Sequence, residues 1–483
     1  MTSAEGTPPV EAQQTPTALP PGERWFQASV IIGICINPLN SALIAISLVV
    51  ISRSLDVPLS HALWLIGGFY ITSAIAQPIF GSLADRIAAY PMFMAGLTSV
   101  AVGAVLGGVA QDIITLTIAR IIIALGTAAT YPSAVVMIRQ RYVAGPEGRP
   151  LRILAITAVS QQIAAAIGPP LGGLMVGAIG WRSAFLMNLP IALVTMLIAR
   201  HVHRTAAAHR ALTEAAAAEK PASPLYPVGS VLFALTLGLM FASTAETVLP
   251  EVVALGGFVI ALVVLVLWEM RTPAPLIDVR LLAARLELSW IFVRFVMAGV
   301  VLYVIMLLWP QWLQQGRDLE VDQVGLLMLP MSVLGPGIAA LAGRWLHYRY
   351  SLVLGHVGLL AGSALLLTMS GGTPIWVLVA CVVCFALPTA LLHLANQAAV
   401  FEAAPAEQTG ASVGLLRSAW YIGAIIATAL GGVFFGERAT NGGLHDLGIT
   451  MCVLTALIFV VDALFLVRRR ITARDEAPSA AQG

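Results

Sequence analysis

The chain has 483 residues, of which 59% are hydrophobic and only 10% charged, with a mean hydropathy of +0.89. Soluble domains carry roughly 25% charged residues, so this chain lacks the polar surface to face water and reads as an integral membrane protein. A net charge of +2 without a basic face excludes nucleic acid as a partner. The single lysine, Lys220, follows no glycine-rich turn, which excludes a P-loop and ATP as the energy source.

A bilayer core needs roughly 20 apolar residues per helix. In chain order that length is met near residues 28–50, 62–80, 92–110, 113–138, 153–179 and the shorter 184–199. Two weaker stretches follow at 228–245 and 252–268, then six more at 288–312, 324–341, 351–369, 375–395, 411–435 and 447–467. The count is fourteen, with twelve as the alternative. Of the 26 basic residues, nineteen fall in segments on the side of the N-terminus, four on the opposite side and three (Arg120, Arg294 and Arg417) within spans. This asymmetry predicts that both termini are cytoplasmic in a multi-pass protein of the cell membrane, with the lipid bilayer as its surroundings.

The expected organisation is a disordered tail over 1–26, a six-helix half over 27–203 and a cytoplasmic linker over 204–227. An inserted transmembrane hairpin over 228–270 and a loop over 271–287 lead to a second six-helix half over 288–468 and a short tail over 469–483. The first 23 residues lack the basic start and apolar core of a cleaved signal. All four cysteines lie in apolar spans, and one turn holding Cys381 and Cys384 cannot supply four zinc ligands. Neither metal nor cofactor is expected. An H-E-x-x-H motif and a cluster of acids facing a histidine are both missing from the sequence, so enzymatic chemistry is not expected either.

Four motifs carry more. Span 2 ends in Gly81-Ser-Leu-Ala-Asp85-Arg86, where glycine permits close helix approach and the aspartate suits helix N-terminal amides. Span 4 holds Arg120 about two turns from its outer end, a depth at which a guanidinium faces the bundle interior or a wet cavity. Span 5 reads Gln161-Gln162 and then Gly168-Pro169-Pro170-Leu171-Gly172-Gly173, a thin and bendable face. Trp181-Arg182-Ser-Ala-Phe185-Leu-Met-Asn188-Leu-Pro190 follows. An internal repeat supports the two halves: Gly343-Arg344 answers Gly81 at an offset of 262, and Gly431-Gly432 answers Gly172-Gly173 at 259. Paired halves of this kind hold their site between the repeats near midplane.

In that order and spacing the motifs resemble the major facilitator superfamily, and most closely its fourteen-helix drug:proton antiporter branch. The loop motif departs at Ala88, Ala89 and Tyr90, and the span-4 motif has Ile123-Ala124 in place of Gln-Gly. The resemblance implies an all-α membrane fold and a secondary exporter of a small amphipathic or drug-like molecule, exchanged for protons by alternating access. A facilitator or symporter without proton antiport remains the alternative. It implies a conformational gate at Gly81, Asp85, Arg86, Gly168, Pro169, Gly172 and Gly173. Candidate substrate-binding residues are Asn37, Asn40, Tyr70, Arg120, Tyr131, Gln161, Gln162, Arg417, Trp420 and Tyr421, with Phe69 in the same aromatic set. Related antiporters commonly carry Asp where this chain has Asn40, and an amide cannot titrate. Proton coupling would then pass through Glu246 or Asp462, or through Asp85, with Arg120 tuning the local potential. Arg294 and Asp462 are expected to snorkel to the cytoplasmic edge, His356 and His393 to make helix contacts, and Trp309 and Trp312 to sit in an interfacial belt.

Overall fold

The computed structural model describes residues 22–86, 88–142, 149–205, 227–242, 251–272, 275, 279–345, 348–403 and 409–476. Those residues are helical almost throughout, with no strand among them. The first half comprises α1 (Glu23–Leu55), α2 (Leu59–Arg86), α3 (Ala89–Val109), α4 (Ile113–Tyr142), α5 (Arg149–Ile179) and α6 (Asn188–Thr205). The hairpin is α7 (Pro227–Ala242) and α8 (Glu251–Arg271). The second half comprises α9 (Leu286–Gln315) and α10, which starts as Val321–Leu327 and resumes as Leu329–Trp345. It continues through α11 (Tyr348–Leu366), α12 (Ile375–Ala403), α13 (Thr409–Phe435) and α14 (Asn441–Glu476).

Among the described residues, helices occupy the stretches expected from hydropathy, and eleven are long and apolar enough to cross a membrane. The described part of α13 and the two hairpin helices are outside that set: Ala419–Phe435 is apolar but shorter. The linker over 206–226 and the hairpin turn over 243–250, which carries Glu246, lie outside the described residues. A continuous helix satisfies its own backbone, which is why this chain without water-facing surface takes no other form. The helices are apolar almost all round, and the face turned to lipid stays apolar, as at Val259, Ile260, Val263 and Leu267 of α8.

Local sequence sets the irregularities. Pro310 lacks an N–H and its ring crowds the carbonyl four residues earlier. The ladder of α9 widens into a π turn over Val304–Leu308, immediately before the Trp309-Pro310 step. Gly180 ends α5 with φ +84°, a left-handed conformation that L side chains rarely adopt, and turns the chain into the short helix Ser183–Leu186. Between α3 and α4, the Asp112 carboxylate accepts from the Thr115 backbone N–H at 2.8 Å and from its hydroxyl at 2.7 Å. These bonds hold its carboxyl below the usual carboxylate range and cap α4.

The repeat is visible in the backbone. Among the described residues only Asp56 and Asp318 are non-glycines with positive φ, both at 53°. They are 262 residues apart, the offset already seen between Gly81 and Gly343; Asp56 caps the end of α1, and Asp318 lies in the turn after α9. The halves cross at equivalent places: α5 packs on α10, and α2 on α13.

Candidate functional site

The interior of the first half is built around Arg120. Its side chain is fully buried on α4. Nη1 donates to Asn40 Oδ1 on α1, Nε donates to the Leu65 carbonyl on α2 at 3.1 Å, and the guanidinium lies 4.1 Å from the Phe69 ring centroid. One turn along α1, Asn37 donates to the Thr127 hydroxyl of α4 at 3.2 Å. The partners of this guanidinium among the described residues are all neutral. A cation–π contact is worth about 2 kcal/mol when desolvated, below the several kcal/mol that removing an ion from water costs.

Aromatic rings join the halves beside this cluster. Tyr70 of α2 meets Tyr303 of α9 edge-on at 5.3 Å and Tyr421 of α13 at 5.7 Å. Gln77 of α2 donates to the Tyr421 hydroxyl at 2.8 Å. Behind them Trp420 packs against Tyr303, Phe295 and His393, with centroids 5.0–5.4 Å apart.

A third cluster lies wholly in the second half. Arg294 of α9 pairs with Asp462 of α14 at 2.9 Å and donates Nε to Asn396 Oδ1 of α12 at 2.9 Å. Trp290 Nε1 donates to the same carboxylate at 2.6 Å, and His356 Nδ1 of α11 is 3.7 Å from its other oxygen. Arg294, Asp462, Trp290 and His356 line a cavity of about 110 Å³ that also meets Glu287, Arg349 and Phe459.

The halves are latched at the face carrying the α1–α2 and α9–α10 turns, here the far face. Arg53 donates to the Gln314 carbonyl at 3.3 Å, and Gln314 Nε2 donates to the Ile46 carbonyl at 3.0 Å. The Leu59 and Ser60 backbone N–H groups donate to the Glu437 and Gly436 carbonyls. Nearer the middle, the Ser332 hydroxyl donates to the Ala166 carbonyl.

Several expectations change. Arg294 and Asp462 do not snorkel: each has a closer partner in the other, and an ion pair within the bundle outweighs reaching for the edge. Trp309 and Trp312 are not belt residues but buried, and Trp312 Nε1 donates to Asn441 Oδ1 at 2.9 Å. The span-5 glycines divide. Gly168 and Gly172 face Ala42, Leu43 and Ile46 of α1 in their own half, whereas Gly173, and Gly177 one turn on, meet α10 of the other half. Pro169 is buried beside them, and its carbonyl lies against Gly325.

Tyr131 and Gln161 are half-buried and Gln162 is exposed. Gly81 has room, with Pro132 the nearest neighbour of an added Cβ at 4.0 Å. The side chains of Asp85, Arg86 and Arg417 lie outside the described residues. Tyr303, Phe295, Gln77 and Asn396 were not singled out from sequence. Gln77 and Asn396 carried a usable signal, a polar amide deep in an apolar run; Phe295 carried none.

Two pseudo-symmetric helical halves meeting around a polar and aromatic midplane define a multi-pass membrane transporter. The family model of the Major Facilitator Superfamily matches residues 30–428 and 291–482, and the chain belongs to that superfamily. It is 30% identical over 444 residues to the uncharacterized MFS-type transporter YwoD of Bacillus subtilis, covering 89% of this chain and 94% of the relative. It is 27% identical to the methylenomycin A resistance protein of Streptomyces coelicolor, covering 93% and 92%. A solved peptide transporter, POT, in complex with sulfate shares the fold at a TM-score of 0.65 and 17% identity, covering 90% and 94%.

Proposed function

We propose that this transporter is a secondary active exporter of a small amphipathic molecule, working by alternating access with both termini in the cytoplasm. The observation that carries the reading is the latch: two six-helix halves bonded to one another at the far face, over a midplane lined by Asn40, Tyr70, Arg120, Trp420 and Tyr421. Such a contact must break for a molecule to leave on that side, and a substrate lodged at midplane is what would be released. The printed name of the Streptomyces relative, a resistance protein, favours export over uptake.

In this reading fourteen helices cross the bilayer, the halves span 27–203 and 288–468, and the 228–270 hairpin is an insertion. Asn37, Tyr131, Gln161, Gln162 and Arg417 complete the substrate path, and Gly81, Asp85 and Arg86 belong to the cytoplasmic gate. Protons are the coupling ion, carried at Asp462 or Glu246. Asp462 is the better placed, because protonation would loosen its bond to Arg294 and so alter contacts among α9, α11, α12 and α14. Uptake of a fluorescent amphiphile into inside-out proteoliposomes tests this. Accumulation that requires an inwardly acidic gradient is expected, and equal rates without the gradient would leave facilitated diffusion.

A further inference from the structure

We infer that Arg120 and Asn40 bind the anionic group of a ligand, so that the exported molecule, or an ion travelling with it, carries a negative charge. The inference rests on the exporter reading only for the word exported; the anion site stands on the following geometry.

Arg120 is wholly buried, and no carboxylate among the described residues pairs with it. The sequence over 27–203 has only four acids, Asp56, Asp85, Asp112 and Glu147; the first three stand at or beyond a helix end, and Glu147 lies outside the described residues. Asp112, the nearest along α4, is eight residues away, about 12 Å of helix. A buried guanidinium is normally matched by a counter-charge, and none is supplied among the described residues.

The polar atoms left over are donors. Arg120 Nη2, Asn40 Nδ2 and Ser73 Oγ are buried without a hydrogen-bond partner, and the Ser41 hydroxyl faces Tyr70. Asn40 and Ser41 are neighbours on α1, and Ser73 is one turn from Phe69 on α2. The free N–H groups of Arg120 and of Asn40 bonded to it, with the Asn40 oxygen already taken by Arg120 itself, suit a carboxylate or a small monoanion and repel an ammonium group. Access follows from the halves. Tyr70 is the ionisable neighbour of Arg120 and touches Tyr303 and Tyr421 across the interface, so parting the halves uncovers this wall.

The test is binding to the purified full-length protein in detergent, read by thermal shift and by isothermal titration. The probes are 1-naphthoate, its uncharged partner 1-naphthamide, and sodium chloride against sucrose of equal osmolarity. Naphthoate should bind at least about tenfold tighter than naphthamide, the range of a charge-assisted hydrogen bond. Protection by naphthoate without chloride assigns the site to the substrate; protection by both assigns it to a co-transported ion, and either supports the anion site. Asn40→Asp, an isostere that gives Arg120 an internal counter-charge, should fold and abolish the preference. Arg120→Gln should do the same if it folds. Equal affinity for naphthoate and naphthamide, or a preference unchanged in Asn40→Asp, would overturn the inference. Transport of an uncharged amphiphile by the same protein reconstituted into proteoliposomes would still support the exporter, so the two readings fail separately.

Discussion

Gly173 of α5 and Gly325 of α10 bring the two halves into backbone contact: a Cβ on Gly173 would lie 2.8 Å from the Gly325 Cα, and one on Gly325 2.9 Å from the Gly173 Cα. The repeat supplies a counterpart, where Gly431 of α13 faces Leu63 of α2 and Leu308 of α9. Leu63 and Gly325 are again 262 residues apart. Helices in lipid associate by close packing rather than by the hydrophobic effect, so a single methyl group at this crossing acts directly on closure. Gly173→Ala should weaken the far-face seal. A cysteine placed at Leu319 in that background should react faster with an impermeant thiol reagent added outside cells. Gly172→Ala, which meets only α1, should leave that rate unchanged, and equal rates in Gly173→Ala and wild type would count against the seal.

The Gln77–Tyr421 bond is a second link between halves, placed deeper. Tyr421→Phe removes about 1 kcal/mol of net stabilisation, enough to shift a two-state equilibrium about fivefold. Turnover in vesicles should change by a few-fold in either direction while expression holds. Unchanged turnover would mean that the bond is made equally in both states.

Breaking a buried ion pair by removing one partner costs about 3–5 kcal/mol. Asp462→Ala should therefore lower thermal stability strongly, because it strands Arg294, whose Nη2 already lacks a partner. Replacing both residues, Arg294→Met with Asp462→Leu, should recover most of the loss. A double variant no more stable than Asp462→Ala would show that the pair acts through something other than charge matching.

Coupling separates from stability in the Glu246→Gln, Asp462→Asn double variant. Proton flux per molecule exported should collapse, whereas binding of the substrate should persist. Tight coupling in that variant would move the proton site elsewhere in the chain.

Topology and gate can be checked together. In a background without Cys35, Cys381, Cys384 and Cys452, a cysteine at Val248 should label from outside intact cells if α7 and α8 both cross. Labelling only after permeabilisation would reduce the span count to twelve. Asp85→Asn should cripple transport with expression near normal, and wild-type turnover would remove Asp85 from the gate.

Hydropathy alone located the helices, since lipid selects runs of about 20 apolar residues whatever they pack against. The repeat was equally plain in sequence, because the 262-residue offset between Gly81 and Gly343 returns in the backbone of Asp56 and Asp318. Arg120 also announced itself, as a cation too deep in a span to face lipid. What sequence could not assign was partners. A helix that is apolar all round shows no preferred face, so lipid and protein neighbours look alike along the chain. Only the tertiary structure brought Arg294 to Asp462 across 168 residues and drew Trp309 and Trp312 inward. It also turned Gly173 toward the other half while Gly168 and Gly172 closed on α1. Those choices depend on which ridge of one helix meets which groove of another, and adjacent residues on a helix point about 100° apart.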